Sequence, residues 1–109
     1  MTIDIHQGAL GAAPADVGHT TKRFFPLYTG PASYVTGGDP GLLAAIGLGK
    51  IFAVLGILLT TGLAGSALYV GVYNPATDSI VIFNPTTGLE VAAATNLSTF
   101  TSTCEVIGQ

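Results

Sequence analysis

The chain has 109 residues and a formal net charge of -3; 8% of its residues are charged, 49% are hydrophobic, 15 are glycine and one is cysteine. That length holds one domain around one core, three basic residues argue against a nucleic-acid partner, and a lone Cys104 excludes an internal disulfide framework. So few charges cannot coat an isolated small globule, which places part of its apolar surface against other chains or in lipid.

The first stretch, Met1 to Gly18, is rich in Ala and Gly, carries Pro14 and shows no sustained period. We read residues 1–19 as an extended arm that orders against a partner, ahead of a β-sandwich domain over residues 20–109. The arm lacks the basic flank and apolar run of a secretory signal, which is compatible with cytosolic synthesis. Thr20 to Thr29 is a strand that Pro26, having no amide hydrogen, sends to a sheet edge or breaks. Gly30-Pro31 marks a turn. Tyr34-Val35-Thr36 is a short strand ending at Gly37-Gly38, where positive φ costs little. Asp39 then caps a short helix with Pro40 in its first position and Leu42, Leu43 and Ile46 on one face. Gly47 and Gly49 stop that helix.

Ile51 to Tyr73 is 23 residues without a charge. It is long enough for a membrane helix, since about 20 apolar residues span a bilayer core, and all three basic residues precede it. Its centre, Thr60 to Ser66, is instead rich in Thr, Gly and Ser, and Ala67 to Tyr73 alternates as a strand does. The alternatives are one spanning helix or two buried strands around a turn. As a strand, Ile51 to Leu59 sets Phe52, Val54 and Leu58 against Ile51, Ala53, Leu55 and Ile57, apolar on both faces.

Residues 72–81 and 82–91 repeat one pattern: an aromatic strand end, Asn-Pro, two turn residues, Asp78 or Gly88, then a new run. Asn74-Pro75 and Asn84-Pro85 are therefore successive hairpin turns. Ala92 to Ser98 is a loop. Thr99 to Ile107 alternates, with Phe100, Ser102, Cys104 and Val106 inward. The fold class that follows is all-β: a small antiparallel β-sandwich or barrel with one short helix and an extended N-terminal arm.

Chemistry is sparse. His6 and His19 lie thirteen residues apart with no Cys or second His at ligand spacing, so no metal site is expected. Asp39, Asp78, Glu90 and Glu105 fit capping and solvation better than acid–base catalysis. Cys104 reads as a small core hydrophobe without a base to activate it. Gly47-Leu48-Gly49-Lys50 fails the phosphate-loop pattern, because Ala44 stands at the first glycine and Ile51 follows the lysine. The expectation is no enzyme, cofactor or small-molecule substrate, and Gly37-Gly38 is expected to serve conformation alone.

Tyr34-Val35-Thr36-Gly37-Gly38-Asp39-Pro40 followed by Leu48-Gly49-Lys50-Ile51 resembles the small decoration (cement) proteins of tailed bacteriophages. Gly88-Leu89-Glu90-Val91-Ala92, Thr95-Asn96-Leu97-Ser98 and the ending Val106-Ile107-Gly108 are similar too. The resemblance runs in order from about Thr20 to Gly108. The chain departs from the family by having Ile46 in place of a Leu, and by its more apolar Ile51 to Leu59. The resemblance implies a β-sandwich, usually a homotrimer, synthesised in the host cytoplasm and bound to the major capsid protein on the outside of the virion. Candidate interface residues are Ile3, Ile5 and Leu10 in the arm and Ile51, Leu55 and Ile57 in the apolar strand. The alternative is a small holin-like membrane protein with a helix at 51–73.

Overall fold

Three bent strands organise the chain. In the computed structural model, which describes residues 1–4, 15–16 (backbone alone), 21–61 and 68–109, each of these strands passes from one sheet into the next. The first joins β3 (Lys22–Phe24) to β4 (Leu27–Thr29), and the last joins β11 (Thr101–Thr103) to β12 (Glu105–Gly108). They pair antiparallel with Phe24 opposite Val106 and Leu27 opposite Thr103, so the register survives the bend at Pro26. The Cys104 amide donates to the Pro26 carbonyl at 3.1 Å across that bend. Pro26 thus breaks its strand, as expected, although β4 is central, flanked by β11 and by β1 (Thr2–Asp4).

The middle strand joins β6 (Ile51–Leu55) to β7 (Leu58–Leu59). Leu55 pairs with Glu105 and Thr60 with Thr101, so five steps on one strand match four on the other. The extra residue forms a bulge at Gly56, which has φ 73°, and such bulges turn a strand around a sheet corner. Ser102 serves this bulge: its hydroxyl accepts the Leu58 amide at 3.1 Å and donates to the Gly56 carbonyl at 3.2 Å. That is why a polar residue stands on the buried face of the last strand.

The sheets run β2 (Ala15–Asp16)–β3–β12–β6, then β1–β4–β11, and finally β7–β8 (Tyr69–Asn74)–β9 (Ser79–Asn84)–β10 (Leu89–Glu90). The two-residue β5 (Asp39–Pro40) pairs with β9. Among the described residues the architecture is all-β and antiparallel, with one helix, α1 (Leu42–Ile46). Within Ile51 to Tyr73, residues 51–55, 58–59 and 69–73 are strand; the expected turn lies largely in residues 62–67, outside the described residues. Tyr28, Tyr34, Leu42, Leu59, Ile80 and Val106 are among the core side chains. Gly71 admits Ile57 beside it, since a Cβ there would lie 2.4 Å from Ile57 Cγ2.

Both Asn-Pro turns form as expected, by one mechanism. Asn74 Oδ1 accepts the Ala76 amide at 3.0 Å and Asn84 Oδ1 accepts the Thr86 amide at 2.9 Å. Four residues later the chain turns left-handed, at Asp78 (φ 50°) and Gly88 (φ 71°), which Asp and Gly tolerate.

Two expectations are corrected. Tyr34-Val35-Thr36 forms no strand and leads into the Gly37-Gly38 turn, where φ is 98° and 119°. Asp39 does not cap α1. Gly41 occupies the N-cap without a side-chain bond, and the Leu43 amide donates to the Asp78 carboxylate at 3.1 and 3.2 Å. Asp39 is buried instead, because β5 turns its side chain toward Tyr28, whose hydroxyl donates to Asp39 Oδ2 at 2.7 Å. Gly47, with φ 81°, ends the helix as expected.

The arm also begins differently. Thr2–Asp4 pairs with Thr29–Leu27 of β4, and the Met1 amine lies 3.6 Å from Asp39 Oδ1. The first four residues therefore belong to the body, with Ile3 packed against the core.

Candidate functional site

Three tyrosine–carboxylate pairs fasten the segment from Tyr34 to Gly47 to the sheets. Tyr28 holds Asp39, Tyr34 donates to Glu90 Oε1 at 2.7 Å, and Tyr73 donates to Asp78 Oδ1 at 2.8 Å. The Tyr34 oxygen also accepts the Ile82 amide at 3.1 Å, and Glu90 Oε1 takes the Gly37 amide at 2.7 Å. Burial, aided by the neighbouring carboxylate, pushes the Tyr34 and Tyr73 hydroxyls up to about 12 and Tyr28 higher still. The Tyr34 hydrogen bond, then the Gly37 amide, hold Glu90 below its ordinary value. These carboxylates each have a structural task.

Cys104 is buried, and that burial pushes its thiol up to about 11, which disfavours the nucleophilic thiolate. His6 and His19 lie outside the described residues. Among the described residues no three His, Cys, Asp or Glu side chains converge as a metal site would need. Glu105 pairs with Arg23 at 3.1 Å, a half-exposed contact of little energetic weight.

What the surface does offer is apolar. Of the six candidate interface residues, Ile5 and Leu10 lie outside the described residues. Ile3 and Ile51 are half-buried against the core, Ile57 is 3% exposed within it, and Leu55 is 51% exposed. Leu55 and Ile57 do not share a face, because the bulge at Gly56 inverts the side-chain alternation between them. The exposed apolar residues that the sequence reading did not select are Leu58, Leu68 and Val72, with Phe52, Val35 and Leu89 elsewhere. The alternation of Leu68, Val70 and Val72 was a usable signal for a strand face. It carried nothing to say that this face points outward.

Leu58 pairs with Val70, Val70 with Phe83 and Val72 with Val81, which sets these side chains on one face of β7–β8–β9. The other face, with Tyr69, Ile80 and Ile82, packs into or against the core. Neither a family model, nor a curated protein, nor a solved structure matches this chain.

Proposed function

We propose that the chain is a structural virion protein: a decoration, or cement, protein that binds the outer surface of an assembled tailed-phage head as a homotrimer. The major capsid protein is its partner, and its task is to hold the expanded shell against the pressure of packaged DNA. The observation that carries this reading is an uncharged, apolar strand face on a small β body in a chain with 8% charged residues. The resemblance of Tyr34–Pro40, Leu48–Ile51, Gly88–Ala92, Thr95–Ser98 and Val106–Gly108 to decoration proteins supports it. Binding only the assembled lattice stabilises that lattice by mass action, and three linked attachment points multiply a weak contact. Because Thr2–Asp4 is committed to β4, the arm's share of the contact falls to residues beyond it.

The membrane alternative needs a helix at 51–73, where the described residues run as β6, β7 and β8; among them no helix is long and apolar enough to cross a bilayer. The test is co-sedimentation with expanded heads stripped of their own decoration, beside unexpanded heads. Binding to expanded heads, with a rise in their disruption temperature, is expected. Failure to bind either form refutes the proposal, and a helical circular-dichroism signal appearing only in detergent favours the alternative.

A further inference from the structure

We propose that the outward face of β7–β8–β9, built by Leu58, Leu68, Val70, Val72, Val81 and Phe83, is the surface on which a second copy of this chain packs. The proposal deepens the homotrimer of the preceding section and rests on that part of it. An antiparallel sheet with one face on the core ordinarily carries polar residues on the other, and strands apolar on both faces are covered on both. All six positions here are apolar, and Leu58 and Val72 are each 52% exposed and Leu68 44%.

Charge decides what covers such a face. The acidic groups at its border are engaged within the chain: Glu90, opposite Phe83, by Tyr34 and Gly37, and Asp78, at the hairpin tip, by Leu43 and Tyr73. A partner of ordinary composition, with about 25% charged residues, would have to strip water from charges that find no counterpart here. Another copy of this chain, with 8% charged residues, does not. Six such side chains present an apolar patch on the order of 400 Å², within the roughly 300–600 Å² of the largest patch on an ordinary monomer, which is often functional. That is about half of the ~800 Å² each partner brings to a stable interface, and Leu55, just before the bulge at Gly56, adds to the exposed apolar surface.

The test compares the full chain with Val72→Lys and with the double variant Val72→Thr, Val81→Thr, by light scattering through a micromolar dilution series. The parent is expected to be oligomeric. Val72→Lys should weaken association about a hundredfold or more, because an unpaired ammonium would be buried. The threonine pair keeps the β-branched shape, so association should weaken about tenfold while the circular-dichroism spectrum and melting stay those of the parent. A parent that is monomeric throughout, or variants that keep the parent's mass, overturns the proposal. A monomeric parent whose head binding Val72→Lys abolishes would give the face to the shell instead. An oligomer that Val72→Lys dissolves, but that binds no heads, refutes the capsid reading and leaves this one standing.

Discussion

Asp78 joins three parts of the molecule, and replacing it tests how they are held. Its carboxylate accepts the Leu43 amide at 3.1 and 3.2 Å and the Tyr73 hydroxyl at 2.8 Å, and its backbone sits at φ 50°. Asp78→Ala removes the acceptor for the first turn of α1, at a cost of about 1 kcal/mol. It leaves the half-buried Tyr73 hydroxyl without its partner, about 1 kcal/mol more. It also forces an alanine into the left-handed region, again about 1 kcal/mol. Counted in full the three terms sum to about 3 kcal/mol, an upper figure because the Leu43 amide and the Tyr73 hydroxyl share one carboxylate oxygen and so couple. Asp78→Asn keeps an acceptor oxygen and tolerates the left-handed backbone, so its loss should be about 1 kcal/mol or less. At roughly 4–8 °C per kcal/mol for a domain near this size, Ala lowers Tm by at most about 12–24 °C and Asn by less than about 8 °C. Thermal and urea melts followed by circular dichroism read both. An Ala variant melting within about 4 °C of the parent, or an Asn variant as unstable as Ala, would refute the account of this cap.

The other expectations concern single groups. Gly37→Ala meets open space and pays only for its φ of 98°, whereas at Gly38 a Cβ would also lie 2.8 Å from Ser79 Cβ; we expect costs of about 1 and about 2–3 kcal/mol, with head binding unchanged in whatever fraction stays folded. Because Tyr34 and Tyr73 are raised from 10.0 to about 12, their contribution is complete below pH 10 and is lost as pH rises toward 12; alkaline melts should show this decline, and Tyr34→Phe should make it shallower while Tyr73 keeps its own share. Glu90 is lowered from 4.5, so its contribution is complete above that value and is lost as pH falls below it, which Glu90→Gln should remove from acid melts. Cys104, buried with its thiol raised, should resist a thiol reagent until the chain unfolds; labelling of the native protein at the unfolded rate would contradict the burial.

Several features were local enough to be legible in the sequence. The two Asn-Pro turns follow from side chains that bond their own backbone two residues on and from Asp78 and Gly88 at positive φ. The inward set Ser102, Cys104 and Val106 follows from strand alternation, and the break at Pro26 from a missing amide hydrogen. Gly37-Gly38 and the stop at Gly47 follow from backbone freedom. Each depends on residues within one turn or strand.

Tertiary structure decided the rest, because it depended on partners distant in the chain. Asp39-Pro40 ahead of an apolar run carries the local pattern of a helix start, yet Tyr28 and the Met1 amine draw Asp39 into the core, and the cap of α1 arrives from Asp78, 35 residues onward. Met1 to Asp4 has no period of its own, since β4 alone sets its pairing. Counting residues in twos puts Leu55 and Ile57 on one face. One extra residue at Gly56, visible only against the register of β11 and β12, sends Leu55 outward and Ile57 into the core. For the same reason, an uncharged stretch could announce that its surface must be covered, while only the pairing of β7, β8 and β9 could say which side chains remained to be covered.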